Sequence, residues 1–270
     1  MPEGPEIRRA ADGLAAAVVG EPLVSAFFSF PRLKAFEAQL RGRRILSILP
    51  QGKALLTRFD DGWTMYSHNQ LYGVWQVADA GVRPETTRSL RVALETEKRA
   101  ILLYSASDVS MWRDEDLPTH PFLSRLGPDV LDPGITGAAV GKRLQQREFA
   151  RRTLSVLLLE QGFLAGMGNY LRSEVLFEAR LAPGRKPSEL TPAERKRLAS
   201  TLLEVPRRSY ATRGIVPASG MKADYLTDTP EGFTFQVFDR QGLPCPCCGA
   251  AIERRELGGR RLYLCRRCQK

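Results

Sequence analysis

The chain opens Met-Pro-Glu-Gly-Pro-Glu, and three of those residues could do chemistry. With Met1 removed, Pro2 would present a secondary amine. An α-amino group titrates near ~7.7–8.0, against ~10.4 for lysine, so at neutral pH a useful fraction is unprotonated and nucleophilic. Attack on a sugar aldehyde carbon forms an iminium, a cation that serves as an electron sink. Glu3 puts a carboxyl one residue away, where it could protonate the sugar ring oxygen or a leaving group. Read alone, the same residues also suit an ordinary frayed terminus.

A second pattern lies at the other end. Cys245-x2-Cys248 and Cys265-x2-Cys268 are separated by sixteen residues. Two such knuckles predict four thiolates around a tetrahedral structural Zn²⁺, whose binding supplies folding energy that so small a module lacks. Cys247 is left over as a free thiol. A redox pair is the alternative, but no βαβ context surrounds the cysteines. Gly166 and Gly168 precede a predicted helix start at Asn169. Backbone N–H groups and the helix dipole there could hold a phosphate, although a glycine turn between helices is also an ordinary connection. Lys53, read alone, is a solvated charge. His68 and His120 are too few and too scattered for a metal site, and Trp63, Trp75 and Trp112 read as core.

These groups need elements to position them. Residues 5–19 predict a helix, with Pro5 at its first turn, Ile7, Ala11, Leu14 and Val18 on one face, and Gly20 to stop it. Residues 21–107 read as mostly antiparallel strands packed as a two-layer sandwich, with Asp61-Gly62 as a hairpin turn. The Pro- and Gly-rich stretch THPFLSRLGPDVLDPG breaks that pattern. Beyond it the period is helical. Leu154, Leu157, Leu158 and Gln161 fit one helix, and Tyr170–Ala179 fits another. A third begins at Thr191, with Pro192 at its first position and Glu194 closing a capping box. Gly258-Gly259 turns a final hairpin. The fold class is therefore α+β and multidomain. The expected domains are a β-sandwich with a terminal helix (1–124), a linker (125–134), a helical domain (135–231) and a zinc-bearing hairpin (232–270).

Composition narrows the partners. The 270 residues carry 40 Lys and Arg against 30 Asp and Glu, a net charge of +10. The segment from Gly232 to Lys270 holds eight of the cations and three of the anions, so half the excess lies there. Such a balance favours an anionic partner, nucleic acid first, through phosphate neutralisation and counterion release; a basic but otherwise ordinary enzyme is the alternative. All five cysteines lie beyond residue 244, which excludes a disulfide scaffold. No apolar run approaches the ~18–20 residues of a membrane helix, and the start lacks a signal-peptide pattern, so no membrane association and a cytoplasmic location are expected.

Taken in order, MPEGPEIRRAADGL, GKALLTRF, YSHNQLYGVW, HPFLSRLGPDVLDP, GMGNYLRSEVL and the terminal knuckles resemble the formamidopyrimidine-DNA glycosylase and endonuclease VIII family over essentially the whole chain. NQLYGVW resembles the bacterial endonuclease VIII branch. The resemblance implies an N-terminal β-sandwich, a helix–two-turns–helix domain and a zinc finger. It implies a DNA repair enzyme that removes an oxidised base, of the thymine glycol class, and then cleaves the strand by β- and δ-elimination. The bacterial enzyme would be cytoplasmic, nucleoid-associated and monomeric, acting on damaged double-stranded DNA. Carried over by motif, Pro2 is the Schiff-base nucleophile, Glu3 the proton donor and Glu6 a supporting carboxylate. Lys53 contacts phosphate and serves β-elimination. Arg260 binds phosphate and serves δ-elimination, with Arg261 beside it leaving the register open. Gln70, Leu71 and Tyr72 fill the hole left by a flipped nucleotide. Arg125, Gly168 and Asn169 contact the DNA backbone. A preference for 8-oxoguanine or formamidopyrimidine, and a non-catalytic zinc-dependent DNA-binding protein, are the alternatives; an RNA-binding module lacks its usual aromatic sheet motif.

Overall fold

The computed structural model describes residues 2–212 and 232–270. Met1 and residues 213–231, the tail of the expected helical domain, lie outside the described residues. The chain divides into two compact units. The first comprises Met1–Pro2 and Glu6–Ser124; the second comprises Glu3–Pro5 and Arg125–Lys270.

Helix α1 (Gly4–Val18) forms where the apolar period demanded, and Ile7, Ala11, Leu14 and Val18 are all buried. It stops at Gly20, whose φ of +87° is costly for any residue with a Cβ. Strands β1 (Ser25–Phe28), β2 (Ile45–Gln51), β3 (Ala54–Phe59), β4 (Trp63–His68), β5 (Val74–Asp79), β6 (Leu90–Glu95), β7 (Arg99–Tyr104) and β8 (Asp108–Arg113) follow, interrupted by a short α2 (Ala35–Gln39). They form two four-stranded antiparallel sheets, ordered β1-β6-β7-β5 and β2-β3-β4-β8. Ile45, Leu55, Phe59 and Met65 of one sheet share a core with Val92, Leu94, Ile101 and Leu103 of the other, and the buried face of α1 joins them. This is the expected sandwich. The turn from β3 to β4 uses Gly62 at φ +78°, as the Asp-Gly signal implied. Two elements of this unit went unforeseen. Strand β8 lies past residue 107, and α2 is too short to show a period.

In the second unit, α3 (Gly137–Leu144), α4 (Arg147–Ala150), α5 (Leu154–Leu157), α6 (Asn169–Glu178) and α7 (Pro192–Ala211) surround one apolar core. The expected helix through Gln161 ends four residues earlier, at Leu157. Gln161 instead spends its amide on the following turn. Its Nε2 donates to the Leu159 and Met167 carbonyls at 3.0 and 2.9 Å, and its Oε1 accepts from the Gly166 N–H at 3.1 Å. Helix α7 begins with the anticipated capping box, Thr191 Oγ1 accepting from the Glu194 N–H at 3.2 Å and Glu194 Oε2 accepting from the Thr191 N–H at 2.8 Å. The closing hairpin pairs β9 (Glu253–Leu257) with β10 (Arg260–Leu264) across Gly258 and Gly259, both at positive φ.

Candidate active site and zinc centre

In the first unit Pro2 is half-buried, and Glu6 in the first turn of α1 is buried and paired with Arg9 at 2.9 Å. Lys53 sits in the turn between β2 and β3 with 7% exposure. It is therefore not the solvated charge that the isolated residue suggested. Burial lowers the His68 pKa, and the Lys53 ammonium adds to that against the opposing charge of Asp108. Gln70, Leu71 and Tyr72 occupy the loop between β4 and β5. Leu71 and Tyr72 are 57% and 67% exposed, two large apolar side chains offered to solvent.

In the second unit Glu3 is almost fully enclosed, and its carboxylate caps α6. Tyr170 N–H donates to Oε1 at 2.8 Å and Leu171 N–H to Oε2 at 3.2 Å. These are orphan donors of the first helical turn, where the dipole also favours a carboxylate. Gly4 N–H donates to the Gly166 carbonyl at 2.8 Å, tying down the next residue. The terminus is thus fixed rather than frayed at Glu3 and Gly4. Gly168 has no room for a side chain, since a Cβ would lie 2.2 Å from Glu3 Cδ. The anion place foreseen at this helix start is filled, at Tyr170 and Leu171, by the chain's own carboxylate. Asn169 is half-buried at the head of α6, and its Oδ1 accepts from Arg172 Nη2 at 2.6 Å. Arg125 is exposed at the end of a single 3₁₀ turn.

Sequence reasoning missed two charged residues of α6. Arg172 has no exposed surface, and its guanidinium donates to the carbonyls of Ser155 at 2.8 Å and Arg261 at 3.1 Å, as well as to Asn169. Burial pulls its pKa down to about 10, with Glu3 pulling upward and Arg260 downward. Arg260 and Arg261 are adjacent on β10 and so lie on opposite faces of the hairpin. Glu174 is fully buried and accepts three backbone N–H groups, from Gln236, Val237 and Phe238, at 2.8, 3.0 and 2.8 Å. Burial pushes its carboxyl up to about 7 against the pull of those donors. Both residues lie among apolar neighbours in α6, so periodicity carries no sign of them.

The sulfurs of Cys245, Cys248, Cys265 and Cys268 all lie within 4.8 Å of one another, with the 245–268 and 248–265 pairs at 3.8 and 3.4 Å. A tetrahedron with Zn–S bonds of ~2.3 Å has edges of about 3.8 Å, so the quartet fits zinc. Cys247 is exposed and outside it.

Three family models match the chain in succession. The formamidopyrimidine-DNA glycosylase N-terminal domain matches residues 1–107, the formamidopyrimidine-DNA glycosylase H2TH domain residues 126–217, and the zinc finger found in FPG and IleRS residues 242–270. The chain belongs to the formamidopyrimidine-DNA glycosylase family. Within it, the chain is 53% identical over 270 residues to an Endonuclease 8 of Enterobacter sp. (strain 638), and 51% identical over 269 residues to one of Shigella sonnei (strain Ss046), each match covering 100% of both chains. In fold it is similar to Lactococcus lactis Fpg bound to DNA containing N7-benzyl-Fapy-dG, with a TM-score of 0.83, 20% identity and 100% of both chains covered. Family membership makes the chain a DNA-binding, bifunctional glycosylase and AP lyase of base excision repair, carrying one structural zinc. No helix among the described residues is long and apolar enough to cross a membrane.

Proposed function

We propose that this family member excises oxidised pyrimidines of the thymine glycol class from duplex DNA, as a cytoplasmic monomer, with Pro2 as nucleophile. The lesion class rests on full-length identity of 51–53% to Endonuclease 8 proteins. The observation that carries the chemistry is the fixed carboxylate of Glu3, next in the chain to Pro2.

With Met1 removed, the Pro2 nitrogen lone pair attacks C1′ and the bond from C1′ to the base breaks. Glu3 supplies the proton that accompanies departure of the base. The Pro2 nitrogen loses its proton and the C1′–O4′ bond breaks, O4′ taking up a proton, which leaves a ring-opened iminium. The iminium acidifies the C2′ proton; its removal, served by Lys53, expels the 3′ phosphate. A second elimination, served by Arg260, expels the 5′ phosphate. Glu6 supports the first turn of α1, and Arg125, Gly168 and Asn169 meet the backbone of the damaged strand. C1′ is reached only when the nucleotide leaves the stack, at a cost of a few kcal/mol. Gln70, Leu71 and Tyr72 offset that cost by filling the vacancy.

Borohydride trapping on a thymine-glycol duplex tests the assignment. Wild type should cross-link and Pro2→Thr should not; an adduct in the variant refutes Pro2. Excision rates on thymine glycol and 8-oxoguanine duplexes, measured side by side, test the lesion class, and a faster purine rate overturns it.

A further inference from the structure

The loop that offers Leu71 and Tyr72 is restrained at several points. Gln70 has a φ of +50°, a left-handed conformation uncommon for a residue with a side chain. Such a conformation persists only when its surroundings hold it. The nearest restraint is His68, whose Nδ1 accepts the Gln70 N–H at 2.9 Å. Ser107 Oγ donates to Gln70 Oε1 at 3.0 Å, and Arg88 Nη1 donates to the Tyr72 carbonyl at 2.6 Å. Gly73 N–H donates to the Asn69 carbonyl at 2.7 Å, and a Cβ on Gly73 would lie 2.6 Å from that oxygen. Of these bonds, only the one to His68 is donated by the N–H of the left-handed residue.

We propose that His68 is the positioning residue of this loop: by accepting the Gln70 N–H it holds the conformation in which Leu71 and Tyr72 stand ready to enter the duplex. The proposal rests on the void-filling reading of those two residues. A pre-formed wedge needs no ordering when the nucleotide is flipped, and ordering is what such a step would otherwise pay in entropy. The ring is suited to accept. Burial lowers the His68 pKa, Lys53 on the β2–β3 turn lowers it further, and Asp108 on β8 opposes them. Phe122 closes one edge, its ring centroid 5.4 Å away. A neutral imidazole with its proton on Nε2 keeps the Nδ1 lone pair for Gln70.

The full zinc-loaded chain tests this with His68→Asn, His68→Gln and Leu71→Ser. An asparagine oxygen can reach the N–H two residues on, as in an Asx-turn. A glutamine amide lies one bond farther out, toward the place of Nε2. The readouts are kcat and KM on a thymine-glycol duplex, and borohydride trapping on a single-stranded abasic oligonucleotide, which needs no wedge. His68→Gln should lose about tenfold in kcat on the duplex, the worth of one hydrogen bond, with KM and single-strand trapping unchanged. His68→Asn should recover most of that loss. Retained trapping shows that the variants fold and that Schiff-base formation at Pro2 is intact. Recovery by Gln in place of Asn, or equal loss on duplex and single strand, overturns the proposal. Leu71→Ser at the wild-type duplex rate refutes the void-filling reading itself. A fall in Leu71→Ser with none in His68→Gln refutes the pin alone.

Discussion

The loop of residues 68–73 and the head of α6 solve opposite problems with the same kind of bond. At α6 two backbone N–H groups hold a side chain, so the Glu3 carboxylate is fixed and enclosed. In the loop a side chain holds a backbone N–H, so the chain path is fixed while Leu71 and Tyr72 remain exposed. Under the proposed roles, the difference follows from what each would do. A proton carrier acts through one oxygen at one place, and placement is worth orders of magnitude in rate. A wedge acts through apolar area, which must stay out of the core until a base leaves its stack.

The largest expected effect lies outside both regions, in removal of zinc from the Cys245, Cys248, Cys265 and Cys268 quartet. A strong chelator should unfold the hairpin β9–β10 and abolish DNA binding, because structural zinc supplies on the order of 10 kcal/mol to such modules. Circular dichroism and a DNA mobility shift would report it, and full binding by metal-free protein would contradict it. Next comes Gly168→Ala, which breaks the fixed-carboxylate arrangement. The new Cβ would overlap Glu3, and base excision should fall by about a hundredfold or more. His68→Gln breaks the loop side of the comparison by a smaller factor, as given above. Thr191→Ala, remote from both, should cost only about 1 kcal/mol of stability through loss of an N-cap. Thermal unfolding reads that loss, and excision rates should not change.

What was legible in the sequence was local. Asp61-Gly62 turned the hairpin, Thr191 and Glu194 capped α7, and the cysteine spacing marked the metal. Each of these signals sits within a few residues of the structure it specifies. What was not legible joins distant positions. Glu3 meets Tyr170 across 167 residues, and Arg172 meets Arg261 across 89. Nothing in a hydrophobic period marks an arginine that will be wholly buried among carbonyls. Lys53 looked like a surface charge for the same reason, because its enclosure is made by the fold rather than by its neighbours in sequence. His68 fits no metal-ligand pattern, yet its Nδ1 accepts an N–H only two residues away.

The place where sugar joins protein tests the account most directly. Wild-type enzyme trapped with borohydride on a thymine-glycol duplex can be digested and its cross-linked peptide sequenced by mass spectrometry. The account predicts deoxyribose on the nitrogen of an N-terminal Pro2, in a peptide lacking Met1. Deoxyribose on Lys53, or on any other side chain, would contradict it.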